Sequence, residues 1–189
     1  MKKGFTLLEL LIVIGILAIL SAVTILVINP AELLRKSRDT QRISDLGAIN
    51  SALGFYLVNT SSISMGLAVN SYSVTSTNCM ARTPAINASQ SVAGTGWIPV
   101  DLITLAVGSP ISKYPIDPNP LVGKRYYVYL TDGLGKWELI TNLESTYYTS
   151  GVENRESTDG GSISTLFEEG GLLNILTATG TSCFADTGV

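Results

Sequence analysis

An α+β fold, a long N-terminal helix packed on a small antiparallel sheet, is predicted by three observations. The chain opens on an unbroken apolar run. An amphipathic stretch with three- and four-residue spacing follows, and β-rich aromatic runs later flank an Asp-Gly turn. The 189 residues accommodate one domain of ordinary size plus a helical extension. Apolar residues make up 46% of the chain and charged residues only 14%, where about 25% charge is usual. The apolar excess is concentrated at the front.

From Phe5 to Ile28 the only charged residue is Glu9. A helix of about 20 apolar residues crosses the hydrocarbon core of a bilayer, and this run meets that length. Gly15, Ser21 and Thr24 are tolerated in such a helix, and small residues let neighbouring helices approach. An ordinary secretory signal has an apolar core of about 7–15 residues before a small-residue cleavage site. This run is longer, and Leu20-Ser21-Ala22-Val23 is a poor site of that kind. A plain anchor explains the length but not Glu9, since a carboxylate at mid-membrane costs about 3 kcal/mol. On residue chemistry alone, Glu9 either reaches the headgroups, favours the helix N-terminus, or has a partner elsewhere.

The string Lys3-Gly4-Phe5-Thr6-Leu7-Leu8-Glu9-Leu10 resembles the class III leader of type IV pilins and of the related pseudopilins of type II secretion. The resemblance implies cleavage between Gly4 and Phe5 by a prepilin peptidase, and N-methylation of the new Phe5 terminus. It implies that Glu9, one helical turn along on the same face, neutralises the terminal amine of a neighbouring subunit. It also implies a cytoplasmic N-terminus, an exported head and a pilin-like fold. The expected organisation is a leader at 1–4, a membrane and filament-core helix at 5–28, an amphipathic helix at 29–57 and a β-rich head at 58–189. Charge alone argues for the other orientation or neither: Lys2 and Lys3 precede the span, while Arg35, Lys36, Arg38 and Arg42 follow it.

Asn29-Pro30-Ala31-Glu32 interrupts the run. Asn is a good N-cap, Pro suits the first helical position and Glu three residues on completes a box-like pattern. The helix therefore restarts or kinks at Asn29 and Pro30, a candidate hinge. Beyond it, Ile43, Leu46, Ile49, Leu53 and Leu57 form a helical stripe that predicts packing on a sheet. Arg35, Arg38, Asp39, Arg42 and Asp45 are expected on the wet sides.

Residues 59–96 are rich in Ser, Thr, Asn and Gly and read as a long connecting loop with one short strand near Tyr72-Ser73-Val74. Apolar packing returns at Trp97-Ile98-Pro99-Val100, and Ser109 to Pro120 is a turn-rich connector. Arg125 to Leu130 and Lys136 to Thr141 form a hairpin about Asp132-Gly133-Leu134-Gly135, with Tyr147 and Tyr148 expected to begin or edge a third strand.

Cys79 and Cys183 are the two cysteines. Paired in an oxidising compartment they would close a loop of ~100 residues and add about 4–5 kcal/mol; otherwise they are two buried thiols. The tail residues Glu153, Glu156, Asp159, Glu168 and Glu169 form either a solvated acidic turn or oxygen ligands for calcium, as in some pseudopilins. No other cofactor or metal site is expected. Up to Arg42 the chain has six basic and three acidic residues, and beyond it six and twelve. A basic stem and an acidic head either attract each other between copies or are two solvated surfaces.

There is no histidine, phosphate loop or nucleophile motif, so an enzyme is not expected. The resemblance implies instead a structural subunit of a surface filament. Its partners would be copies of itself, the prepilin peptidase, the inner-membrane assembly machinery and, before assembly, membrane lipid. The alternatives are a pseudopilin of a secretion or DNA-uptake machine, or a signal-anchored binding domain that never polymerises.

Overall fold

The computed structural model describes residues 4–74, 82–119 and 125–176. In chain order the elements are α1 (Leu7–Ile28), α2 (Pro30–Asn59), β1 (Asn70–Ser73), β2 (Thr83–Ile86), β3 (Val128–Thr131), β4 (Trp137–Thr141), α3 (Thr146–Thr149) and β5 (Phe167–Gly170). The strands form one sheet in the order β2-β1-β3-β4-β5.

The α2 stripe packs as its periodicity predicts. Leu46, Ile49, Leu53 and Tyr56 are buried against Trp97, Tyr114, Tyr127, Tyr129, Trp137, Leu139 and Phe167, with Ile43 and Leu57 at the margin. Polar bonds reinforce the contact. Asn50 accepts from Trp137 Nε1 at 3.0 Å and donates to Glu169 at 3.1 Å, and the Tyr127 hydroxyl donates to Asp45 at 2.8 Å. A second apolar layer covers the opposite face, where Tyr126, Val128, Leu130 and Ile140 meet Ile163, Leu166 and Leu176. The central strands β3 and β4 are therefore buried at every position.

The β3–β4 hairpin turns as expected. Asp132 Oδ1 accepts from Leu134 N at 2.7 Å and Lys136 N at 2.9 Å, while Gly133 and Gly135 adopt positive φ of 76° and 114°, a region where glycine has no Cβ penalty.

Three sheet expectations need correction. The sheet is mixed rather than antiparallel, because β1 and β2 run parallel while β1–β3, β3–β4 and β4–β5 are antiparallel. Among the described residues, the 59–96 stretch contributes two strands rather than one; its hydroxyl- and amide-rich composition carries no apolar alternation from which the second could be read. Tyr147 and Tyr148 form the single helical turn α3, and the remaining edge strand is β5. The stem explains this turn: Asp39 accepts the amides of Glu144 and Ser145 at 3.1 and 2.7 Å, and Glu32 accepts that of Thr146 at 2.5 Å. Amides aimed at stem carboxylates are unavailable to a strand ladder.

Candidate functional site

The N-terminal helix begins at a reciprocal cap. Thr6 Oγ1 accepts from Glu9 N at 3.2 Å, while Glu9 Oε2 accepts from Thr6 N at 2.9 Å and from the Thr6 hydroxyl at 2.8 Å. The reciprocal pair thus satisfies two amides at the helix start, that of Thr6 by Glu9 and that of Glu9 by Thr6. Gly4 and Phe5 precede the helix, and Phe5 is exposed. From Leu7 to Ile25 the helix is long and apolar enough to cross a membrane, and none of that stretch is buried within the monomer. Its hydroxyls are satisfied internally, Ser21 donating to Leu17 O and Thr24 to Leu20 O, both at 2.7 Å. A helix with its polar groups closed in this way suits an apolar medium.

Asn29 separates α1 from α2 as a residue shared by both. Its backbone is left-handed (φ 44°, ψ 77°), which ends α1, and its side chain accepts from Glu32 N at 3.4 Å, which caps α2. Asn tolerates this conformation better than most non-glycine residues, and Pro30 then occupies the first turn of α2, where a missing amide costs nothing. The interruption is a restart rather than a proline kink inside one helix. Beside it lies a groove of about 420 Å³ lined by residues that include Ile28, Leu33, Lys36, Tyr147 and Val152.

Below the junction, α2 is clamped to the head by buried charges, contrary to the expectation that Asp39 and Arg42 face solvent. Both are fully buried. Arg42 grips Asp117 with two bonds of 2.7 and 3.0 Å and donates to Asp39 at 2.7 Å and Glu144 at 2.9 Å. Arg38 adds a second fork on Glu144. Burial opposes the Glu144 charge, but the Arg38 and Arg42 guanidiniums override it and hold the carboxyl down at about 2. Burial also works against the Arg42 charge, and Asp117, Glu144 and Asp39 outweigh it, leaving the guanidinium more firmly protonated than usual. Much of the contrast between basic stem and acidic head is consumed here, inside one chain. One signal would have revealed it: Asp39 and Arg42 lie on the same helical line as Leu46, Ile49 and Leu53, continuing the stripe with charged residues.

The acidic tail is likewise less solvated than expected. Glu153 is exposed, but Glu156 and Glu168 are buried, and Asp159 and Glu169 are half-buried. Among the described residues, no group of three or more His, Cys, Asp or Glu side chains is arranged to hold a metal ion. Cys79 and Cys183 lie outside the described residues.

Residues 1–25 match the family model for the prokaryotic N-terminal methylation motif. No curated protein and no solved structure matches the chain. The match covers the leader and most of α1, the segment holding Gly4, Phe5 and Glu9. The N-terminal methylation motif thus opens a chain whose long helix and small five-stranded sheet fit a pilin-like α+β architecture.

Proposed function

We propose that the chain is a structural, non-catalytic subunit of a type IV pilus-like surface filament, cut after Gly4 by prepilin peptidase and methylated at Phe5. The observation that carries this reading is the methylation motif at residues 1–25, whose apolar helix the monomer leaves bare. The precursor sits in the inner membrane with its N-terminus cytoplasmic and its head exported, and the assembly machinery draws it into the filament. The bilayer buries α1 first, and packing among copies buries it again, so the apolar surface is never left in water. Removal of residues 1–4 leaves an amine on Phe5 beside the helix start. Glu9 then becomes the partner of that charge on a neighbouring copy, because burying the pair costs less than burying either alone.

Glu9→Ala tests this reading. An unpaired buried charge costs about 3–5 kcal/mol, so the variant is cleaved normally while its incorporation into filaments falls about tenfold or more. Immunoblots of the membrane and sheared-surface fractions measure both quantities. Normal filament yield from Glu9→Ala contradicts the assembly role. Short periplasmic assemblies at native expression, in place of long surface filaments, would assign the subunit to a secretion or DNA-uptake pseudopilin.

A further inference from the structure

The sheet face turned away from α2 carries two glutamates that an apolar layer does not ordinarily admit. Glu138 on β4 and Glu168 on β5 are 0% and 1% exposed. In the register of the two strands Ile140 is opposite Glu168 and Glu138 opposite Gly170, so the glutamates are diagonal neighbours on one face. Their carboxyl groups are near enough for that of Glu168 to raise that of Glu138, on a face shared with Val128, Leu130, Ile140, Ile163, Leu166 and Leu176.

Each carboxyl group uses one oxygen on the segment covering the face. Glu138 Oε2 accepts from Leu176 N at 2.6 Å, and Glu168 Oε2 accepts from Ile163 N at 2.7 Å. Each Oε1 is buried without a partner. The backbone at Gly161 closes tightly over the pair, since a Cβ there would lie 2.1 Å from Glu168 Oε2. The charged groups around the pair are mostly of the same sign. Asp159 accepts from Glu168 N at 2.7 Å, and Glu156 lies beyond Asp159. Arg82 feels the Glu138 charge from one side and Arg125 faces Glu156, but neither forms an ion pair with Glu138 or Glu168. Two neighbouring carboxylates in a buried site do not both ionise readily without a cation.

We propose that Glu138 and Glu168 share one proton through their otherwise unpartnered Oε1 atoms, and that this pair is a pH-sensitive catch holding the 159–176 segment closed on the sheet. One O–H donated between the carboxyl groups satisfies both orphaned oxygens and leaves both Oε2 atoms on their amides. Burial first, and then the Glu168 carboxyl, push Glu138 up to about 9 from its ordinary value of 4.5. Because the folded state keeps a proton that the unfolded chain releases, the pair's contribution is complete below about 4.5. It is lost progressively as pH rises towards about 9. The cover is fastened in acid and loosened in alkali.

The test is thermal unfolding of the full chain in detergent micelles across that window, for the native protein and for Glu138→Gln. The amide is a permanent donor in place of the shared proton. Glu156 and Asp159 titrate in both proteins, so the difference between the two curves is the readout. The melting temperature of the native protein falls with rising pH. Glu138→Gln removes about one proton's worth of that slope and melts at or above the native protein in alkali. Hydrogen exchange at the Leu176 and Ile163 amides of the native protein provides a second measurement that needs no variant. Their protection, corrected for intrinsic exchange, drops as the pair ionises. Parallel native and Glu138→Gln curves with pH-independent protection overturn the proposal. So does a melting temperature in alkali raised by calcium or magnesium alone and only in the native protein, since a cation would then occupy the site.

Discussion

Removing the Arg42 guanidinium leaves Asp39 and Asp117, both buried, without the cation they share. Breaking a buried pair from one side costs about 3–5 kcal/mol, so Arg42→Met is expected to lower unfolding stability by that amount in denaturant titrations. The loss shrinks in acid, because the Glu144 contribution is present above the ordinary carboxylate value of 4.5 and disappears as pH falls towards about 2. At Asn29 two contributions separate cleanly. Asn29→Gly keeps the left-handed backbone and loses only the side-chain cap, a cost of a few tenths of a kcal/mol. Asn29→Ala loses the cap and strains the backbone, and about 1–2 kcal/mol is expected. Equal melting temperatures for the two variants would contradict the shared-cap description of this residue.

At the scale of elements, the parts most legible in the sequence were those governed by periodicity. The α2 stripe from Leu46 to Leu53, the Asp132–Gly135 turn and the apolar α1 follow from spacing and composition alone, whereas Tyr56 takes the buried place expected of Leu57. What the sequence hid depends on partners distant along the chain. β2 pairs parallel to β1, and no local pattern marks that register. Tyr147 and Tyr148 have strand-like composition, yet Glu32 and Asp39, more than a hundred residues earlier, draw the preceding amides into a helical turn. The candidate site divides in the same way. Gly4, Phe5, Glu9, Asn29 and Pro30 were visible as local motifs. The Arg42 cluster is not legible from residue type, which places its charges in solvent, although their helical line points inwards.

In the whole molecule, no described residue of α1 enters either apolar layer, whereas α2 contributes a full face to one of them. The core is therefore complete without the membrane helix. A chain of residues 29–189, which retains Asn29 as the α2 cap, is expected to be a folded monomer by gel filtration and circular dichroism, with Trp97 still buried by fluorescence. Aggregation of that fragment would show that α1 stabilises the head. Intact-mass and N-terminal peptide analysis of the protein from its own cells tests whether α1 is an assembly element released by leader processing. A mature chain starting at methylated Phe5 is the expected result. A chain that starts at Met1, or beyond Ala22, would contradict it.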